Sequence, residues 1–267
     1  MSIQAMYTAQ TGLTALSDEI DITANNLANV NTTGFKRSRA NFEDLFYLEM
    51  QRAEATNGTG ISKPAGTYIG LGTQISNTQL IFTQGSAIGT DSSTDMMIMG
   101  NGLFRVRTSE DIGGGLAYTR SGNFFPNRDG QLVLGNSDGY LLEPPITIPP
   151  EATNVQIQTD GTVQVFLPGQ TQPQIVGQIL LYRFSNQAGL ASYGSNVLTA
   201  TEASGQAIEG APGTNGLGQI RSNYLEASNV DAVKELVALI KTQRAFELNS
   251  QVITAGNEML QTITRLR

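Results

Sequence analysis

Two long heptad patterns frame the chain. Met6, Leu13, Ile20 and Leu27 stand seven apart, and Ala9, Leu16, Thr23 and Val30 follow each of them by three. That is the a/d seam of a helix pressed against other helices, and it predicts a helix over residues 2–31. Near the other end, Leu239, Phe246, Ile253 and Leu260 repeat the spacing, with Leu236, Ile240, Val252, Met259 and Ile263 widening the stripe. A second helix is predicted over 228–267. Ser228 or Asn229 can cap it, Asp231 falls in its first turn, and Arg265 and Arg267 suit the negative end of its dipole. Seams of this length need partners. They can pair with each other, or they can stack against copies of the chain, which suits helices longer than one small domain requires.

The first helix ends in an Asn-rich stretch, Ala24 to Arg37. Asn31 and Gly34 can adopt the left-handed conformation that stops a helix. Asn25, Asn26 and Asn29 are poor helix formers, because their amides compete for backbone hydrogen bonds. Such a stretch is either a frayed end or a set of side chains that bond to a neighbour. Beyond it, Phe35 to Arg52 carries Phe42, Phe46 and Tyr47 and reads as a short helix or as extended chain. From Ala53 to Thr73, five glycines and Pro64 exclude a continuous helix. This is a linker or an extended arm, too long for an ordinary connection.

The middle of the chain alternates with period two and is broken by turns. Strands are predicted at Gln79–Thr83, Asp95–Met99, Leu103–Arg107, Tyr118–Arg120, Asn123–Phe125, Gln131–Leu134 and Gly177–Phe184. Gly100-Asn101-Gly102 looks like a hairpin turn between the second and third of these. Val155, Ile157, Val163 and Val165 alternate around Asp160-Gly161, which is preferred two-residue turn chemistry. Prolines at 144, 145, 149 and 150 bracket Ile146–Ile148 and mark an edge or a crossover. The fold class is therefore α+β, with paired long N- and C-terminal helices and a mainly antiparallel β domain between them. The expected division is a terminal helical domain of 1–34 and 227–267, a connecting arm of 35–73, and a β-rich domain of 74–226.

Composition narrows the function. The chain has no Cys, His or Trp and a net charge of −7. Without His or Cys, the commonest general base, thiolate nucleophile and soft metal ligands are missing. The negative charge argues against nucleic acid. No stretch approaches the roughly 20 apolar residues of a membrane span, and the N-terminus lacks the pattern of a cleaved secretory signal. Motif-like strings resolve to structure. Gly213–Gly218 lacks the flanking strand and helix of a phosphate loop. Asn127–Gly130 lacks the later ligands of a calcium loop, so a hairpin turn is expected there. Met96, Met97 and Met99 read as core fillers. No pair of carboxylates is singled out. No cofactor, metal or catalytic residue is expected, and the chain does not read as an enzyme. The run Lys36-Arg37-Ser38-Arg39 is either a solvated loop or a contact site.

Four stretches carry a resemblance. They are Ala24–Arg37 with Asn41–Leu45; Asp95–Val106; Tyr118–Phe124 with Asp129–Val133; and Ser228–Val230 with Glu235–Val237 and Gln243–Ser250. Together they resemble the rod and hook family of the bacterial flagellar basal body, in its distal-rod branch, over essentially the whole chain. Leu103 stands where the family often has a second aromatic, and Gly113-Gly114-Gly115 is an added flexible stretch. The resemblance implies the subunit of a stiff helical tube that transmits torque and encloses an export channel, with the hook or proximal rod as alternatives. It implies paired terminal helices inside and the β domain outside. The implied partners are copies of the chain, proximal-rod and hook-side axial proteins, basal-body ring proteins and the flagellar type III export apparatus, with export to the periplasmic rod without a cleaved signal. Expected assembly residues are Met6, Leu13, Ile20, Leu27, Val30, Leu239, Phe246, Ile253 and Leu260 in the seam, and Asn25, Asn26 and Asn29 as polar contacts. Tyr47, Pro64 and Tyr68 are expected in the arm, wedged between neighbours. A β-domain enzyme or carbohydrate binder is the rival of a different class, and it requires convergent polar groups in a pocket.

Overall fold

The computed structural model describes residues 2–51, 66–170 and 172–265. The chain forms two compact units. The helical unit comprises Met1–Leu27, Ser38–Gln79 and Asp231–Arg267; the β unit comprises Ala28–Arg37 and Leu80–Val230.

In the helical unit, helix α1 (Ser2–Ala28) pairs with α2 (Ala232–Arg265). The pairing is antiparallel. Asn26 reaches Glu235, Gly12 faces Asn249, and Gly256 faces Met6. The contact face is made of small and polar groups. Ala9, Gly12, Ala15, Thr23 and Asn26 are buried on α1, and Glu235, Thr242 and Gly256 are buried on α2. A Cβ added to Gly256 would lie 2.8 Å from Met6 Cγ, so the helices approach closely only because that position has no side chain. Asp231 caps α2, accepting from the amides of Val233 at 3.1 Å and Lys234 at 3.3 Å. The cap is thus neither Ser228 nor Asn229, because Asn229 is committed elsewhere. Helix α1 stops at Ala28, three residues before the expected end, where a turn closes from Thr32 N–H to the Asn29 carbonyl.

Of the two forms expected after the first helix, linker or extended arm, the described residues 38–51 and 67–80 are extended and pair as a two-stranded ribbon. Strand β1 (Ser38–Asp44) pairs with β4 (Thr73–Leu80), and β2 (Tyr47–Gln51) pairs with β3 (Thr67–Gly70). Hydrogen bonds from Leu45 to Gly72 and from Leu71 to Phe46 carry the ladder across the gap between the two pairs. Tyr47 lies opposite Gly70, and Glu49 opposite Tyr68. Pro64 lies outside the described residues.

The β unit follows with β5 (Ala87–Gly89), β6 (Met96–Met99), β7 (Phe104–Arg107), β8 (Leu116–Thr119), β9 (Phe124–Pro126) and β10 (Leu132–Leu134). Next come β11 (Leu141–Glu143), β12 (Asn154–Ile157), β13 (Thr162–Phe166), β14 (Gln174–Gln178) and β15 (Leu181–Arg183). The last are β16 (Ala191–Gly194), β17 (Val197–Thr199), β18 (Ile208–Gly210), β19 (Gln219–Ser222) and β20 (Tyr224–Glu226). A seven-stranded sheet in the order β16-β17-β8-β7-β11-β10-β9 is its largest element. The hairpin around Asp160-Gly161 forms with Val155 opposite Val165 and Ile157 opposite Val163. The stretch 177–184 is split into the end of β14 and all of β15.

One expected hairpin does not exist. Strand β6 pairs with β19, while β7 enters the large sheet between β8 and β11. The reason is local. The Arg120 guanidinium takes the carbonyls of Ile98, Gly100 and Gly102, so the turn residues bond to an ion and not to each other. Around this turn the core closes on Met96, Ile98, Phe104, Val106, Phe124 and Leu132. Phe104 meets Phe124 edge-on at 5.4 Å. Phe104→Ala is expected to lower the unfolding free energy of the β unit by about 3–5 kcal/mol through the cavity it leaves. Denaturant unfolding followed by circular dichroism measures this.

Candidate functional site

The chain passes between the two units at four points, after Leu27, Arg37, Gln79 and Val230. On the β-unit side, residues beside these crossings converge on one carboxylate. Glu226 ends β20 and is 1% exposed. Its Oε1 accepts from Lys36 Nζ at 2.6 Å and from the Gly85 amide at 2.9 Å. Its Oε2 accepts from Arg120 Nε. Lys36 also donates to the Thr83 carbonyl at 2.8 Å. Arg120 follows β8 and spends its other nitrogens on the carbonyls of the β6–β7 turn.

Backbone geometry brings these groups together. Gly34 has φ of 72°, and a Cβ there would meet the Ser121 amide. Only glycine fits both the conformation and the space. Its N–H donates to the Glu226 carbonyl at 2.8 Å. Gly85 packs so closely on the Ala227 carbonyl that it has no room for a Cβ. Asn229 completes the tie. Its Oδ1 accepts from Arg37 N–H at 2.8 Å, and its Nδ2 donates to the Ile81 carbonyl at 2.7 Å.

The helical unit has its own tie, centred on Asn26. The Asn26 amide exchanges two hydrogen bonds with the Ser38 backbone, at 2.8 and 2.9 Å, and donates to Glu235 at 3.3 Å. Arg39 reaches Gln79 on the opposing strand at 2.9 Å. The residues bordering the crossings are therefore fixed by polar side chains within each unit.

Electrostatics around Glu226 follow from two cations sharing one anion. Burial pushes the Glu226 carboxyl up, but the charge of Arg120 and the hydrogen bond and charge of Lys36 outweigh it and hold the pKa below the usual value. Burial lowers the Lys36 pKa; Glu226 opposes this, and Arg120 adds to it. The anion collects both attractions, whereas each cation receives a share and repels the other.

The expected seam residues are only half covered. Met6, Leu13, Ile20 and Leu27 are partly buried on α1, as are Leu239, Ile253 and Leu260 on α2, while Phe246 is exposed. Val30 is partly buried in the β unit. Of the asparagines, Asn26 is committed within its own subunit, Asn25 is exposed, and Asn29 Oδ1 accepts from Thr32 Oγ1 at 3.0 Å. Helix α2 carries a second apolar stripe of Val233, Val237, Ile240, Leu248, Val252, Met259 and Ile263, all exposed. At about 100° per residue, Val233, Val237 and Ile240 lie about 140–160° round the helix from Glu235 and face away from α1, whereas Val252, Met259 and Ile263 lie within about 60° of Gly256. The ribbon adds Phe46 at 89% exposure, with Tyr47, Leu48, Met50 and Tyr68 exposed beside it. A helix with this much exposed apolar surface, and a ribbon of exposed aromatics, are surfaces made to be covered by protein. An open cleft of about 670 Å3 in the β unit is lined by Arg107, Asp138, Tyr140 and Tyr193 among others, and it carries one carboxylate rather than a pair.

Sequence reasoning reached Lys36 only as part of an ambiguous basic run and did not single out Arg120 or Glu226. The last two are 106 residues apart, and no pattern in one chain pairs them. The available signal was indirect: Lys36 and Arg120 lie inside two of the stretches that carry the family resemblance, and Glu226 lies two residues before a third.

Those stretches coincide with matches to known proteins. Three family models match: flagella basal body rod protein over residues 6–36, the D1 domain of flagellar hook protein FlgE/F/G over 97–165, and the C-terminal region of flagellar basal body rod FlgEFG protein over 221–266. The flagellar basal-body rod protein FlgG of Caulobacter vibrioides is 45% identical over 266 residues, covering 99% of this chain and 100% of that protein. FlgG of Bacillus subtilis is 35% identical over 270 residues, covering 99% of each. The hook protein FlgE of Salmonella typhimurium is 37% identical over 188 residues, covering 67% of this chain and 45% of the hook protein. These matches define the class as the axial rod and hook proteins of the bacterial flagellum. Within that class the chain belongs to the flagellar basal-body rod protein family whose members are named FlgG, a family of structural components.

Glu226→Gln is expected to destabilise the β unit by about 3–5 kcal/mol, because it leaves two buried cations without their anion. The sign of the acid dependence follows from the lowered pKa. The ionised carboxylate stabilises the fold above about pH 4.3, and that stability is lost as pH falls through the depressed folded value. Stability measured by urea unfolding across this acid range should fall steeply for the wild-type chain and less steeply for the Glu226→Gln variant.

Proposed function

We propose that this protein is the structural subunit of the flagellar distal rod. It polymerises into a stiff helical tube that transmits motor torque to the hook and encloses the export channel. The observation that carries this reading is the set of large apolar side chains exposed on α2, with Val233, Val237 and Ile240 on the side away from α1. One helix partner is in place, and a second must come from outside the chain. In the proposed tube, the terminal segments 1–34 and 227–267 form the inner wall, 74–226 the outer shell, and 35–73 an arm between neighbouring subunits. Met6, Leu13, Ile20, Leu27, Leu239, Phe246, Ile253 and Leu260 finish their burial against other copies. Asn25 and Asn29 supply polar contacts near the end of α1.

The full-length relationship to rod proteins, set beside a hook match covering less than half of the hook protein, favours rod over hook. The ribbon supports the same reading, since its exposed Phe46, Tyr47 and Tyr68 suit an arm inserted between subunits. Partners in this scheme are proximal-rod and hook-side axial proteins at the two ends and ring proteins around the shaft. The subunit travels through the flagellar type III apparatus to a periplasmic position and needs no cleaved signal.

Purified protein is expected to form straight tubes by electron microscopy; curved tubes would favour a hook. Val237→Asp, on the exposed side away from α1, should change monomer stability by no more than about 0.5 kcal/mol yet abolish tube formation in a sedimentation assay. Deleting residues within 47–73 should give longer or more flexible polymers, and unchanged length and stiffness would refute the wedge.

A further inference from the structure

We infer that the Lys36–Glu226–Arg120 cluster, with Asn229, is the coupling point through which mechanical load enters the β unit. This rests on the rod reading and extends it to particular residues. The stretches of backbone that cross between the units are a covalent route by which load on the helices reaches the β unit. Three of those crossings, after Arg37, Gln79 and Val230, are bordered by residues tied at this cluster.

The path can be followed bond by bond. Lys36 holds the 34–37 segment to Glu226 and to the Thr83 carbonyl. Asn229 ties the segments at Arg37 and Ile81 to the stretch leading into α2. Glu226 passes the Lys36 tie to Arg120, and Asn229 shares the Thr83 carbonyl with Lys36. Arg120 grips three carbonyls of the turn between β6 and β7, at Ile98, Gly100 and Gly102. Both strands run into the buried core, through Ile98 and Phe104.

The chemistry suits this duty better than it suits stability. A buried ion cluster contributes no more to folding than well-packed apolar side chains of the same volume. Its particular property is direction. Charge-assisted hydrogen bonds fix angle as well as distance, so the tied segments resist shear and rotation. An apolar cluster in the same place would hold the segments together but let them slide. A lone flexible linker would let the units swivel and would transmit little torsion.

The test uses the full chain. Lys36→Met removes one cation and leaves Glu226 and Arg120 as a balanced pair, so the β unit keeps its fold. Asn229→Ala removes the second tie without touching the ion cluster. Hydrogen exchange on the Lys36→Met monomer should show about a tenfold to hundredfold loss of amide protection in 34–37 and 81–85, with the β6–β10 core unchanged. The host bacterium, carrying each variant in place of its own copy, is then tracked swimming in media of rising viscosity. The speed of each variant relative to wild type should fall as viscosity rises, because the coupling yields under load. Unchanged protection, or a ratio independent of viscosity for both variants, would overturn the inference. A wild-type copy that fails to restore motility would overturn the rod reading itself and the inference with it. Wild-type motility with variant curves superimposed on it would overturn the inference alone.

Discussion

One carboxylate holds the β unit of this subunit to the points where its chain enters and leaves. Glu226 is buried, shared by Lys36 and Arg120, and completed by a backbone amide from Gly85. Its neighbours are constrained in turn. Gly34 must be glycine because the chain packs onto Ser121 there, and Asn229 bridges the backbone at Arg37 to the backbone at Ile81. The β6–β7 turn takes its shape from Arg120, and so the large sheet begins where it does.

The helical unit follows a different rule. Its two helices meet on small and polar residues, Gly12 against Asn249 and Gly256 against Met6. Close approach is thereby reserved for the contact inside the subunit. Many large apolar side chains of α2, Val233, Val237 and Ile240 among them, stay exposed. A monomer built this way is incomplete by design, since an apolar stripe in water is a standing drive toward association. Exposed apolar surface on this scale suits a subunit whose stable state is a polymer.

Much of the architecture was legible from one sequence. The heptads located both helices, the alternation around Asp160-Gly161 located a hairpin, though its turn holds three residues, 159–161, and not the expected two, and the family resemblance agreed with matches over the whole chain. The failures share a cause. Asn229 has the chemistry of a cap but is drawn away by Ile81, so Asp231 caps instead. Gly100-Asn101-Gly102 has the chemistry of a hairpin turn, but an arginine from beyond another strand takes its carbonyls. The glycine-rich stretch leaves linker and extended arm both open, because β3 pairs with a strand that local pattern does not name. In each case a local preference worth a fraction of a kcal/mol to about 1 kcal/mol yields to a long-range bond.

The sequence by itself determined what repeats along the chain. Periods of seven and of two declare helix and strand. Tertiary structure alone decided which face of each helix is used internally, because a heptad seam and a small-residue seam can share one helix and only packing chooses between them. It also decided that Lys36, Arg120 and Glu226 form one cluster. Lys36 and Glu226 are 190 residues apart, and charge carries no periodicity that would announce the pair. The Ala24–Arg37 stretch, read first as an Asn-rich helix end, proves to be committed at both of its ends: Asn26 fixes it in the helical unit, and Lys36 fixes it in the β unit.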